Sequence, residues 1–188
     1  MNERVQDLSL FSVPVDFRGR SAWFVQMWWL VQGSLFRYSP QFLYGWRRLL
    51  LRCFGADIGK KVLVRPTAII TYPWKVKIGD YSWIGDDVIL YSLGEIEIGA
   101  HAVISQRSHL CTGSHDFKDV PFTIFASKIT VHDEAWVASE VFIAPGITVG
   151  RGAVVGARSS VFNDLPAMSI CVGSPAKPIN SRNPKCAS

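Results

Sequence analysis

Residues 131–161 read VHDEAW VASEVF IAPGIT VGRGAV VGARSS V, and this spacing decides the fold. Val131, Val137, Ile143, Val149, Val155 and Val161 stand six apart in one unbroken phase. Val, Ile and Leu make up about a quarter of the chain, so such a run arises by chance on the order of once in 4,000. Two further registers run beside it. A small or aliphatic residue stands four positions on, at Ala135, Val141, Ile147, Ala153 and Ser159. Gly or Ala stands one position on, at Ala138, Ala144, Gly150 and Gly156. The same phase occurs earlier at Ile58 and Val64, at Ile78, Ile84 and Leu90, and at Ile98, Ile104 and Leu110. An amphipathic helix repeats near 3.6 residues and a strand at two, so neither gives six. A coil with three short flat faces does. One aliphatic per face points at the axis, a corner-turning residue sits beside it, and coils stack at about 4.8 Å, the strand spacing. Inward side chains should then meet counterparts about 18 residues away. The sequence predicts an all-β solenoid, a parallel β-helix over residues 56–170, ending in a turn and tail at 171–188.

The period breaks twice. Two extra residues fall between Leu90 and Ile98, around Ser92-Leu93-Gly94. The 21 residues from Leu110 to Val131 read as one coil plus three, with an inserted loop at 111–130. A stacked solenoid tolerates insertions as loops thrown outward, and such loops carry function. Of the 4 His, His115 is the one inside a Gly-containing loop, flanked by Thr112, Ser114 and Asp116. A neutral imidazole there suits a general base for a hydroxyl. His101, His109 and His132 fall on coil faces and read as exposed or packing residues.

Residues 1–55 form a separate aromatic and basic segment of helical pattern, broken at Gly33 and at Ser39-Pro40. It holds Trp23, Trp28, Trp29 and Trp46. Its apolar run is about ten residues, against roughly 20 needed to span a bilayer. It reads as helices packed on the main domain. It also reads as a peripheral membrane contact, with Arg18, Arg20, Arg37, Arg47, Arg48 and Arg52 toward lipid headgroups. The net charge is +5, and all of the excess lies in residues 1–65, where ten Lys/Arg face four acids. That excludes a nucleic-acid groove spread over the fold and suits an anionic surface or a phosphorylated substrate. Cys53, Cys111, Cys171 and Cys186 form no CxxC, which argues against zinc ribbons and disulfide frameworks and for reduced thiols in the cytoplasm.

Five segments resemble the hexapeptide-repeat O-acetyltransferases, the class of galactoside and maltose acetyltransferases. They are Leu110-Cys111-Thr112-Gly113-Ser114-His115-Asp116, Ala135-Trp136-Val137-Ala138-Ser139, Ile143-Ala144-Pro145-Gly146-Ile147-Thr148-Val149-Gly150, Val155-Gly156-Ala157-Arg158-Ser159 and Gly173-Ser174-Pro175-Ala176-Lys177. The match covers roughly residues 55–180. Tyr44-Gly45-Trp46-Arg47-Arg48, Tyr72-Pro73-Trp74, Leu90-Tyr91-Ser92-Leu93 and Ile104-Ser105-Gln106 resemble the colanic acid biosynthesis branch of that class.

The resemblance implies a left-handed coil, a homotrimer, and acetyl-CoA as co-substrate in a groove between subunits, with no metal. It implies direct transfer to a hydroxyl of a sugar or glycan acceptor, with His115 as base. Trp136, Ser139, Gly156, Ala157, Arg158 and Lys177 are the implied acetyl-CoA contacts. Tyr91, Ser92 and Asp116 are the implied acceptor contacts, and Glu95, Glu97 or Asp116 would orient His115. Phe162-Asn163-Asp164 stands where the class often carries a Thr-Lys-Asp-like triplet, so one positive charge near the nucleotide is missing. Three alternatives stay open: a small free sugar or xenobiotic as acceptor, a zinc carbonic anhydrase on the same solenoid, and a non-catalytic trimeric scaffold.

Overall fold

Every inward aliphatic of the six-residue period is buried in the computed structural model, which describes residues 4–183. The coil has three faces, each a parallel sheet of very short strands. Face one stacks Asp57–Ile58, Val76–Ile78, Ile96–Ile98, Ile129–Val131 and Thr148–Val149. Face two stacks Leu63–Val64, Trp83–Ile84, Val103–Ile104, Trp136–Val137, Val154–Val155 and Ser169–Gly173. It ends with Ala176–Ser181 folded back antiparallel. Face three stacks Ile69–Ile70, Ile89–Tyr91, His109–Cys111, Phe142–Ile143 and Ser160–Val161.

The strands are short because the corners demand it. Lys61, Tyr81, His101 and Glu134 turn between faces one and two, and Asp87, Arg107, Glu140 and Arg158 between faces two and three. All eight have φ from 51° to 61°, the left-handed region that ends a strand. At Gly79 a Cβ would lie 2.5 Å from the Ala100 nitrogen of the next coil, so a side chain has no room there. The buried hydroxyls of the second register are satisfied between coils: Ser108 Oγ donates to the Ala138 carbonyl and Ser159 Oγ accepts from Gly173 N–H.

Two expectations about the coil are corrected. Asp57 pairs with Lys77 and Lys77 with Glu97, so the first coils step by 20 residues, and the step of 18 comes in the later coils, at Thr130 with Thr148, Trp136 with Val154 and Phe142 with Ser160. The extra residues sit at one corner, between faces three and one, at Tyr72-Pro73-Trp74 and again at Ser92-Leu93-Gly94. Ile70, six residues after Val64 and in the same phase, is the buried inward residue of face three in the first coil. The interval from 110 to 131 contains no coil. Ile129 pairs directly with Ile96, so the chain between leaves the same corner and returns.

The N-terminal segment folds into α1 (Ala22–Val31), a wide turn at Gln32–Phe36, and α2 (Tyr44–Cys53). Both helices close the open edge of the first coil. Trp28 Nε1 donates to the Ile70 carbonyl at 2.7 Å, and the Gln32 side chain accepts from Ile70 N–H. The arginines of α2 do the same for faces two and one. Arg47 reaches the Val64 carbonyl, Arg48 the Val62 carbonyl, and Arg52 the carbonyls of Ile58 and Gly59. This corrects half of the lipid-facing set: Arg47, Arg48 and the still exposed Arg52 bond the first coil, because the edge carbonyls of a solenoid need donors. Among the described residues no helix is long and apolar enough to cross a membrane. Cys53, Cys111 and Cys171 are unpaired, and Cys186 lies outside the described residues.

Candidate active site

The segment that leaves the solenoid is a β-hairpin. Gly113–His115 pairs antiparallel with Ile124–Ala126, with His115 opposite Ile124. Its base is built by local chemistry. The buried Thr112 hydroxyl donates to the Tyr91 carbonyl and accepts from Gly94 N–H. A Cβ on Gly113 would lie 2.6 Å from Leu93 Cδ1, so the chain passes over Leu93 as glycine. The tip is tied by Asp116, whose N–H donates to the Thr123 carbonyl and whose carboxylate accepts from Lys118 N–H. Asp119 accepts from the Thr123 hydroxyl.

His115 is held on both its polar and its apolar sides. Nδ1 lies 2.7 Å from the Phe122 carbonyl oxygen. A carbonyl only accepts, so Nδ1 carries a proton, and in the neutral imidazole Nε2 presents the lone pair. The Phe122 ring stacks on the imidazole at 4.2 Å between centroids and 8° between planes. Phe11 stands at 5.7 Å and 52°. Phe122 has φ 55°, a cost of roughly 1–2 kcal/mol for a bulky residue, offset by its carbonyl and ring both engaging His115. Among the described residues no carboxylate orients His115. Glu97 is opposite Thr130 and pairs with Lys128 and Lys77, Glu95 faces Lys128, and Asp116 serves the hairpin tip. The orienting group is a backbone carbonyl, which leaves no sequence signal.

Of the expected acceptor contacts, Tyr91 lies half-buried at the hairpin base with Leu93 and Ile124, and burial pushes its phenol up. Asp116 is exposed beside His115. Ser92 is not available to a ligand. It is fully buried, and its hydroxyl bridges the N–H and the carbonyl of Tyr72, fastening two coils.

The expected acetyl-CoA contacts gather elsewhere. Ser139, Gly156, Ala157 and Arg158 share the corner between faces two and three. Ser139 accepts from Arg158 N–H through its carbonyl. Ala157 is exposed. A Cβ on Gly156 would lie 2.6 Å from Val172 Cγ1, so its missing side chain makes room for the last strand. The Arg158 guanidinium pairs with Glu140 at 2.7 Å, and Arg107 approaches the same carboxylate from the coil below. Arg158 and then Arg107 hold Glu140 below the usual carboxylate range. Trp136 lies on face two, with Nε1 donating to Ser105 Oγ at 3.0 Å. It floors a groove of about 670 Å³ with Trp83, rimmed by Arg65, His101, Gln106 and Arg182. Lys177 is exposed on the returning strand, opposite Val172.

One chain therefore does not bring the two groups together. His115 leaves the far end of face three and Ser139 stands at its near end. The face between them is about six extended residues, roughly 20 Å. Face one is charged, with Asp57, Lys77 and Glu97 in its outward column. Faces two and three instead carry outward Trp83, Val103, Trp136 and Ile69, Ile89, Phe142.

His109 lies on face three between Tyr91 and Phe142, edge-on to both rings. Its Nε2 is buried with no hydrogen-bond partner among the described residues. Burial holds its pKa below the ordinary value. The unfolded chain, near 6.5, then binds a proton that the folded chain refuses. Its contribution to stability is complete above about pH 6.5 and falls as pH drops toward the folded value. His109→Phe should shrink the loss of denaturation midpoint between pH 7.5 and 5.5, measured against wild type in urea. An unchanged loss would show that His109 does not titrate on unfolding. Among the described residues no group of three His, Cys, Asp or Glu is placed to hold a metal ion.

No protein-family model matches the chain. A search of characterised sequences gives "Putative colanic acid biosynthesis acetyltransferase WcaF" of Escherichia coli (strain K12), 60% identical over 178 residues, which are 95% of this chain and 98% of that protein. Among solved structures, a galactoside acetyltransferase in complex with coenzyme A superimposes with TM-score 0.80, covering 92% of this chain and 85% of its own at 21% identity. A hexapeptide-repeat acetyltransferase of Vibrio cholerae complexed with acetyl coenzyme A gives TM-score 0.78, covering 88% and 92% at 24% identity. Superposition of that extent requires one hand of coil, so the solenoid is the left-handed parallel β-helix.

Proposed function

The chain belongs to the colanic acid biosynthesis branch of the hexapeptide-repeat acetyltransferases, and from that premise we propose that it moves acetyl from acetyl-CoA to a sugar hydroxyl of a bacterial exopolysaccharide or lipopolysaccharide intermediate. The observation that carries the chemistry is His115 on its hairpin, with Nδ1 tied to the Phe122 carbonyl and Nε2 free to accept a proton. The sugar oxygen attacks the thioester carbonyl as its proton passes to Nε2. The tetrahedral oxyanion is met by the Ser139 N–H, which has no acceptor within the protein among the described residues. The intermediate then breaks at the carbon–sulfur bond, and the imidazolium returns its proton to the CoA sulfur. The products are an acetyl ester and free CoA. The transfer is direct, and no covalent intermediate on the enzyme forms.

Trp136 borders the thioester, the exposed backbone at Ala157 lets the pantetheine arm pass, and Lys177 meets the nucleotide end. Arg158 would exchange Glu140 for a CoA phosphate. Asp116 and Tyr91 border the acceptor. We assign a homotrimer because two faces of the prism carry outward apolar columns while one is charged. A cyclic head-to-tail ring covers both and carries the hairpin of one copy to the corner of the next, joining the two halves of the site. Both substrates are then held in one groove, which supplies the proximity contribution. The enzyme acts in the cytoplasm, in peripheral contact with the inner membrane. The test is calorimetric titration of acetyl-CoA into the protein, then thiol release against a panel of nucleotide sugars and glycan fragments. Saturable binding with thiol release only when a sugar is added supports the reading. No binding would overturn it in favour of a scaffold.

A further inference from the structure

We propose that the solvent face of α1, with the stretch that follows it, seats this protein on an anionic phospholipid bilayer. Val25 and Trp28 of α1 are buried against the first coil. The opposite face carries Trp23, Met27, Trp29 and Leu30, with Gln26 as its polar residue. Trp23 is 74% exposed and Leu30 72%. A helix lying on water puts polar residues there. The apolar surface continues beyond α1 through Leu35, Tyr38 and Phe42, all exposed, beside a shallow hollow of about 390 Å³ that Trp46 closes.

The charge along this segment has one sign. No Asp or Glu occurs between Asp16 and Asp57. Arg47, Arg48 and Arg52 are engaged by the first coil, while Arg18, Arg20 and Arg37 are exposed. Asp16 is exposed in the same hollow as Arg18 and Arg20, yet the arginines outnumber it. An apolar ridge rich in Trp with a net cationic rim is the composition that lies in the plane of an anionic interface. At ten residues α1 is too short to span one. A second copy is the weaker occupant, because apposing two such caps sets arginine against arginine. The sides of the solenoid already supply apolar columns for self-association.

Docking in this way has a consequence for the site. Val25, on the inner side of α1, packs with Tyr72 and Leu93, and Ile124 and Ala126 of the hairpin pack on the same cluster. The hairpin that bears His115 therefore stands beside the bilayer, where a sugar carried on a lipid could reach it. That last step rests on the proposed acetyl transfer. The docking itself does not.

The test is flotation of the full chain with vesicles of phosphatidylcholine, alone or with about a third phosphatidylglycerol. The expected result is flotation with the anionic vesicles, at least ~10-fold weaker with the neutral ones, and lost near ~0.5 M salt. The double variant Trp23→Ala, Leu30→Ala should float ~10-fold less at an unchanged thermal midpoint. Arg18→Ala with Arg20→Ala should lose the preference for anionic lipid. A chain that stays at the bottom with both vesicle types overturns the proposal. So does a double variant that floats normally, or one that dissociates the oligomer while wild type ignores vesicles, which would give the face to a second copy. Flotation needs no substrate, so its failure leaves acetyl transfer standing.

Discussion

His115→Ala is expected to lower kcat by about 10²–10⁴-fold, the range a positioned general base supplies, while the Kd for acetyl-CoA stays within about twofold of wild type. The two halves of that expectation come from separate parts of the molecule. The proposed base is on the hairpin at one corner of the prism, and the proposed CoA contacts are at another. Removing the imidazole deletes the proton acceptor without touching Ser139, Ala157 or Arg158. The same geometry separates proton transfer from ring placement. Phe122→Gly keeps the carbonyl that fixes the tautomer and suits φ 55°, but removes the ring stacked at 4.2 Å. It should cost kcat about tenfold through a loosened imidazole, with His115 still required. Retention of more than a tenth of wild-type kcat by His115→Ala would remove the base from the mechanism. Calorimetry and single-turnover thiol release on the same preparations give both readouts.

The placement of His115 on a segment outside the solenoid was legible and its orientation was not. A lone His in a Gly-containing loop that interrupts a strict period stands out, because a solenoid can only put extra chain outside. What orients it is the carbonyl of Phe122, and carbonyls are shared by every residue. A carboxylate partner was expected because carboxylates are visible in a sequence. Glu97 stands 18 residues before His115, which is one coil only if a coil is counted as 18. The true partner of Glu97 across the step is Thr130. The count failed for a local reason. Tyr72-Pro73-Trp74 and Ser92-Leu93-Gly94 each widen the same corner, and Ile70 lies just before the first of them. Ser92 read as an acceptor contact through the family resemblance alone, whereas its hydroxyl is a bracket between coils. The aliphatic columns were legible, Ile70 apart, because stacking gives every coil the same inward demand, met at Val131, Ile143 and Val155 by near-identical side chains. Charge was half legible. Arginines that cap an edge and arginines that meet lipid have the same composition, and only the hydrogen bonds of Arg47, Arg48 and Arg52 separate them.

Arg47→Ala is expected to destabilise the protein by about 3–5 kcal/mol, more than any exposed arginine of the segment. Arg47 is fully buried with a side chain that donates four hydrogen bonds. Nε reaches the Val64 carbonyl at 2.7 Å, one terminal nitrogen reaches Ser39 Oγ and the Pro40 carbonyl, and the other reaches the Gln41 carbonyl at 2.6 Å. Its guanidinium also lies 4.8 Å from the Tyr44 ring centroid. No carboxylate neutralises it among the described residues, so carbonyl dipoles and the ring do that work. Burial lowers its pKa from the ordinary arginine value, which is high enough for the charge to persist at neutral pH. Truncation leaves three carbonyls without their donor, each costing about 1–3 kcal/mol where water does not enter. Arg47→Lys keeps the charge but replaces a five-donor fork by one ammonium, so it should recover less than half of the loss. Arg47→Met keeps the stem and should recover still less. Arg37→Ala, on the exposed side, should stay within about 0.5 kcal/mol of wild type. Urea midpoints at fixed protein concentration rank the four, and a loss below about 1 kcal/mol for Arg47→Ala would refute the capping role. The variant should fail in a second way. The bond to Val64 covers the first strand of face two, and an uncovered strand edge templates another chain. Light scattering should therefore show Arg47→Ala passing from its native assembly to large aggregates below its unfolding midpoint, while Arg37→Ala does not. A cap that only added stability would let the variant unfold without that growth. A cap that also blocks the end of the stack would not.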